Sequence, residues 1–89
     1  MSSYFVAALY KFVRLAGFEA LQPRLLAEAK RLDIRGTLLL ADEGINGTVA
    51  GSEQNIYALI TWLKAVPELA DLEYKTSWAS EPPFYRMKV

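Results

Sequence analysis

Four polar side chains in two short stretches are the ones best suited to chemistry in this chain. Asp42 and Glu43 lie side by side after three leucines, Asn46 follows three residues later, and Arg14 comes directly after the first apolar run. Two adjacent carboxylates can bind a cation or act as a base. Neighbouring positions diverge in direction, however, and a Mg²⁺ site needs more oxygen ligands than these two supply. The Arg14 guanidinium can hold phosphoryl oxygens through two parallel hydrogen bonds. An isolated asparagine such as Asn46 more often fixes a turn by bonding to its own neighbours. The chain has no cysteine and no histidine. Disulfides, thiolate nucleophiles, cysteine-based zinc sites and the commonest general base are therefore excluded. Its own catalytic means are thin.

The segment that would position these groups is residues 38–52, LLLADEGINGTVAGS. Glycine supplies positive φ without steric cost, and Asn-Gly between β-prone runs is a strong hairpin signal. The expectation is a hairpin with strands at residues 37–41 and from Gly47 or Thr48 to Ala50. Glu43, Gly44, Ile45, Asn46, Gly47 and Thr48 then form its loop.

Around that hairpin the pattern changes period in an orderly way. Residues 4–13, YFVAALYKFV, carry apolar side chains on both alternation sets, as a central strand covered on part of both faces would. A loop containing Gly17 follows. Leu21, Leu25, Ala29 and Leu32 then fall on one helical stripe with Leu26 beside it, over residues 19–32. Glu28 can pair with Arg31 or Arg24 on the outer face, and Pro23 fits only near the first turn, which starts the helix proper at about Leu21. Ser52 is a candidate N-cap for a second helix, with Glu53 in its first turn. In that helix Ile56, Leu59, Ile60 and Leu63 form the buried stripe, Tyr57 and Trp62 flank it, and Pro67 stops it. Leu72, Tyr74, Thr76 and Trp78 alternate with Glu73, Lys75 and Ser77 in the manner of a half-buried strand. Pro82 and Pro83 break it, and residues 84–89 are again extended.

The order is β-α-β-β-α-β, the split arrangement of a ferredoxin-like α+β sandwich: a four-stranded antiparallel sheet, two helices on one face, and a C-terminal extended segment. The first and third strands should be central, with the hairpin's first strand and the fourth strand at the edges. The opposite sheet face is then free for a partner or ligand. Such a fold names no function.

The totals fit one domain over residues 1–89. With 53% hydrophobic residues the chain can fill a core, and ten basic against ten acidic residues give zero formal charge. That balance argues against a dedicated nucleic-acid binder acting alone. No run approaches the ~20 apolar residues of a membrane span, and the first residues lack the positive start of a signal peptide. A cytoplasmic protein without membrane contact is the default. An RNA-recognition motif would need aromatics on the third strand, where Thr48, Val49 and Ala50 stand. The aromatics Tyr4, Phe5, Tyr10, Phe12, Tyr74 and Trp78 fit core or interface positions. Lys11, Arg14, Arg35 and Lys75, with Arg86 and Lys88, would make a basic patch for RNA if the strands gather them.

Gly36-Thr37-Leu38-Leu39-Leu40-Ala41 followed by Glu43-Gly44-Ile45-Asn46-Gly47-Thr48-Val49-Ala50-Gly51 resembles the signature of the rhodanese-related tRNA uridine hydroxylases, and within them the N-terminal, acylphosphatase-like domain. Pro83-Phe84 before Arg86-Met87-Lys88-Val89 resembles that domain's exit, so the likeness covers nearly the whole chain. The resemblance implies a longer parent protein, of which these residues would be a truncated N-terminal part. A downstream rhodanese domain would carry the cysteine needed for oxygen-dependent formation of 5-hydroxyuridine at the tRNA wobble position. Molecular oxygen is then the parent's co-substrate, and this segment holds no cofactor and no metal.

On that reading residues 1–89 are inert alone. They help present tRNA to the rhodanese domain or pack against it, through the Glu43 to Thr48 loop. An exposed strand at residues 84–89 could also pair with a neighbouring chain. Two alternatives remain open. One is an acylphosphatase-like hydrolase, in which Arg14 would hold phosphate and Asn46 would position water. The glycine-rich loop of those enzymes, ending in Phe-Arg, is replaced here by RLAGFEAL. The other is a scaffold whose free sheet face binds protein.

Overall fold

Phe5, Ala7 and Leu9 are buried while Tyr4, Val6, Ala8 and Tyr10 are half-covered, and this alternation sets the first strand, β1 (Tyr4–Phe12), at the middle of the sheet. The structure is a computed structural model that describes residues 3–89. The chain continues through α1 (Phe18–Arg31), β2 (Arg35–Ala41), β3 (Gly44–Gly51), α2 (Glu53–Lys64), a short 3-10 turn (Pro67–Leu69), β4 (Glu73–Ala79) and β5 (Met87–Lys88). The strand order is β4-β1-β3-β2-β5. The β-α-β-β-α-β reading holds, with β1 and β3 central.

The first helix starts earlier than Pro23 implied. The Gly17 carbonyl accepts the N–H of Ala20 and of Leu21, both at 3.1 Å, so the first turn forms before the proline. Pro23 sits on the exposed side, where water can serve the Glu19 carbonyl that its missing N–H leaves free. Leu21, Leu25 and Ala29 are buried as the stripe required. The helix closes with Asp33 in the left-handed region at φ 53° and the Ile34 N–H bonded back to the Ala29 carbonyl at 2.9 Å. In α2, Ser52 Oγ accepts the Asn55 N–H at 3.1 Å, and Ile56, Leu59, Ile60 and Leu63 fill the core.

Three expectations are corrected. The Asn46-Gly47 pair is not the hairpin turn. Ala41 pairs with Gly44, which leaves Asp42-Glu43 as the turn and places residues 44–48 inside β3. Gly36, Gly44 and Gly47 have φ of 142°, 138° and 151°, and a Cβ on any of them would collide with backbone of the adjacent strand. The glycines serve close strand approach, not the turn.

The sheet is mixed and has five strands. β5 lies outside β2 and pairs parallel with it, Gly36 with Met87 and Thr37 with Lys88, so β2 is not an edge. The chain therefore has to cross the sheet between β4 and β5. Pro82, Pro83 and Phe84 line one groove with Tyr4, Arg35 and Ala50, and Pro83 and Phe84 line another with Thr37. Tyr4, Arg35, Thr37 and Ala50 all face away from the helices. Ala50 is 5% exposed yet stands outside the main core. One end of the supposedly free face is thus covered.

β4 is exposed along six of its seven residues rather than half-buried. It is an edge strand, and α2 lies over β1 and β3 instead. The apolar anchor at that end is Leu72, 3% exposed, immediately before the strand. Among the described residues no helix is long and apolar enough to cross a membrane.

Candidate functional site: the open sheet face

Strand pairing fixes which side chains share the face away from the helices. At the hairpin end Phe12 stands in line with Gly44 and Ala41. The next row is Glu73, Tyr10, Asn46 and Leu39, followed by Lys75, Ala8, Thr48, Thr37 and Lys88. Then come Ser77, Val6, Ala50 and Arg35, and the last row is Ala79 with Tyr4.

The hairpin end of this face is an apolar shelf. Phe12 is 80% exposed and Leu39 60% exposed, an unusual cost for large apolar side chains. With Ala41, Glu43, Gly44 and Asn46 they line a shallow hollow of about 220 Å³. Gly44, which carries no side chain, lies between Phe12 and Ala41 in the sheet. Asn46 sits between Tyr10 and Leu39 and supplies an amide to a largely apolar surface.

Arg14 lies elsewhere. The Val13 N–H donates to the Glu43 carbonyl at 3.0 Å and the Leu15 N–H to the Asp42 carbonyl at 2.9 Å. The loop carrying Arg14 is thereby stitched to the hairpin turn, and Leu15 points into the core at 3% exposed. Two of its amide donors are spent on that stitching rather than left for an anion. Arg14 flanks the turn, whereas Asn46 is two residues inside β3; no hydrogen bond or groove joins them among the described residues.

Of the six basic residues considered for RNA, Lys11, Arg14 and Arg35 are dispersed. Lys11 faces the helix side and pairs with Asp71 at 2.9 Å. That hydrogen bond, more than the charge itself, holds the Asp71 carboxyl below the usual carboxylate range. Arg35 stands in the Val6 row, six residues or ~20 Å along the sheet from the Phe12 row, and Asp33 lies 3.4 Å away. Lys75 is on the open face. The cations that the strands do align are Lys75 and Lys88, in one row flanking Ala8, Thr48 and Thr37. Asp42 and Glu43 belong to no group of three or more potential metal ligands among the described residues.

Leu39 is the shelf residue that the sequence reading passed over. Its signal lay in the RGTLLLA strand, where Leu38 takes the core face and alternation forces Leu39 outward.

The model of the UPF0176 acylphosphatase-like domain matches residues 4–89. An acylphosphatase from Coxiella burnetii is 13% identical with a TM-score of 0.67, over 96% of this chain and 92% of that one. The Klebsiella pneumoniae protein BlrP1, in a calcium and cyclic-di-GMP complex, is 16% identical with a TM-score of 0.73, over 98% of this chain. Full-length HypF in a phosphate- and nucleotide-bound form is 19% identical with a TM-score of 0.60, over 97% of this chain. The chain spans only 24% of the BlrP1 chain and 11% of the HypF chain. At such identities the likeness is one of fold, the ferredoxin-like, acylphosphatase-like α+β sandwich.

Proposed function

The chain belongs to the family of UPF0176 acylphosphatase-like domains, and from that membership we propose that it is the accessory module of a larger, oxygen-dependent tRNA uridine 5-hydroxylase. On this reading its shelf packs against a downstream rhodanese domain, where the chemistry takes place, and helps present tRNA to it. The observation that carries this reading is the solvated shelf of Phe12 and Leu39 around Asn46. A surface of that kind gains free energy only when a partner removes it from water. The chain's lack of thiol and imidazole fits a supporting role, and the Lys75–Lys88 row on the same face suits contact with a phosphate backbone.

The test uses the longer protein. Phe12→Ser with Leu39→Ser should lower wobble-uridine hydroxylation at least tenfold, while the 89-residue chain with the same changes keeps its thermal midpoint. Full hydroxylation from the doubly substituted protein sinks the proposal. Steady turnover of an acyl phosphate by the 89 residues, abolished by Arg14→Ala, would replace it with the hydrolase reading.

A further inference from the structure

The two edges of the sheet are unlike. The β5 edge is two residues long, follows Pro82-Pro83 and Arg86, and contains Lys88. Short length, proline and lysine are the usual means of blunting an edge. The β4 edge has none of these defences on its helix side. It runs seven residues without proline, and its pairing with β1 is unbroken from Tyr4–Ala79 to Tyr10–Glu73, so no bulge twists it away. Among the described residues no strand lies beyond it. Its helix-side residues are Tyr74, Thr76 and Trp78, uncharged and exposed, with Trp78 at 58% and Tyr74 at 37%.

We propose that β4 pairs antiparallel with β4 of a second copy of this chain, about a two-fold axis at Thr76, joining two five-stranded sheets into one. Antiparallel pairing about a two-fold axis keeps each side chain on its own face, so only residues of like parity can stand opposite. Few registers are then possible. Centring on Lys75 sets two lysines face to face. Centring on Ser77 or Trp78 leaves Glu73 and Tyr74 without strand partners, because β4 ends at Ala79. Centring on Tyr74 matches Glu73 with Lys75, but it brings Thr76 opposite Leu72, which is buried before the strand begins. Centring on Thr76 pairs all of β4 with itself and sets no like charges directly opposite. Lys75 then faces the second copy's Ser77, Glu73 faces its Ala79, and Tyr74 faces its Trp78, the last pair occurring twice by symmetry.

The surroundings of these aromatics favour the same register. Trp78 meets Phe5 edge-on at 4.9 Å between ring centroids, Phe5 meets Tyr57 at 5.4 Å, and Tyr57 meets Tyr74 at 6.3 Å. In the dimer each such cluster continues across the axis, and cross-strand aromatic pairs are among the stronger stabilising pairs of sheets. A seven-residue edge contact is small beside the ~1,200–2,000 Å² of stable interfaces, which puts the dimer in the size class of weak, reversible association.

Sedimentation of the 89-residue chain from about 5 to 500 μM should show a monomer–dimer equilibrium, in the range expected of a small interface. Thr76→Lys, which sets two lysines opposite each other at the axis, should raise the dimer Kd at least tenfold with an unchanged circular dichroism spectrum. The absence of native cysteine permits a register test. Directly opposite Cα atoms lie about 4.5–5.5 Å apart, within disulfide reach. Thr76→Cys should therefore cross-link under mild oxidation, and Glu73→Cys, ~20 Å from its symmetry mate along the strand, should not. A chain monomeric at every concentration overturns the proposal. So does a dimer indifferent to Thr76→Lys, or equal cross-linking at both positions.

Discussion

Gly47 stands so close to Thr37 that there is no space for a side chain: a Cβ on Gly47 would land on the Thr37 carbonyl oxygen. Its φ of 151° is also one that L residues rarely adopt. Gly47→Ala must therefore push β2 and β3 apart at the centre of the sheet. The expected loss is about 2–4 kcal/mol, from backbone strain together with overpacking. It would appear as a large drop in the urea midpoint. Gly17→Ala, with nothing within 4 Å of the added carbon, should stay within about 1 kcal/mol of the parent.

The second helix depends on its cap. Ser52→Ala removes the oxygen that accepts the Asn55 N–H and should cost about 1 kcal/mol. Asn55 also donates from Nδ2 to the Leu32 carbonyl at 2.9 Å, tying the start of α2 to the end of α1. Asn55→Ala should cost a further ~1–2 kcal/mol, because that part-buried carbonyl loses its partner. Guanidinium titrations of the two variants would check both values.

Leu59 and Leu39 are the same residue in opposite settings, 0% and 60% exposed. Leu59→Ala should destabilise by about 2–5 kcal/mol through lost transfer energy and a residual cavity. Leu39→Ala should change stability by no more than about 0.5 kcal/mol. Near-equal thermal midpoints for the two variants would contradict the placement of the shelf on the solvent side.

Acid should act on the Lys11–Asp71 pair with a definite sign. The folded-state pKa of Asp71 is depressed, first by the Lys11 hydrogen bond. Its stabilising contribution is therefore present above the unfolded carboxylate pKa and disappears as pH falls through the lower folded value. Glu28, held down in the same direction by Arg31, behaves alike. The stability difference between the parent and Asp71→Asn should shrink toward zero on acidification. Denaturant midpoints at neutral pH and at several acidic pH values would show it, and a difference that grows with acid would contradict the pairing.

Periodicity made the element order legible because each buried stripe in the helices is a local pattern: Leu21, Leu25 and Ala29 in one, Ile56, Leu59, Ile60 and Leu63 in the other. The hairpin misled for a physical reason. Asn46-Gly47 has the chemistry of a turn, but Gly47 is spent on contact with Thr37 in the neighbouring strand, a fact that lies in tertiary space. Alternation in β4 pointed to a buried face, and only the position of α2 over β1 and β3 shows that this face is covered no further than the edges of Tyr57 and Lys64 reach. The parallel pairing of Met87 with Gly36 depends on where the Pro82-Pro83 segment crosses, which no local pattern encodes. For the site, the likeness carried by residues 36–51 pointed to the hairpin. The shelf itself emerged when strand register put Phe12 and Leu39 on one surface.

Of the strands of this domain β1 is synthesised first, and it takes all its partners from far downstream. Val6 needs Ala50 on one side and Ser77 on the other. At a synthesis rate of ~5–20 residues per second, β1 waits on the order of four to fifteen seconds for β4 to be made, and longer for it to clear the ribosome. Throughout that interval an apolar, aromatic strand is available to chaperones and to other nascent chains. The central place of β1 thus gives the finished domain its cohesion and leaves that strand the longest without its partners while the domain is being made.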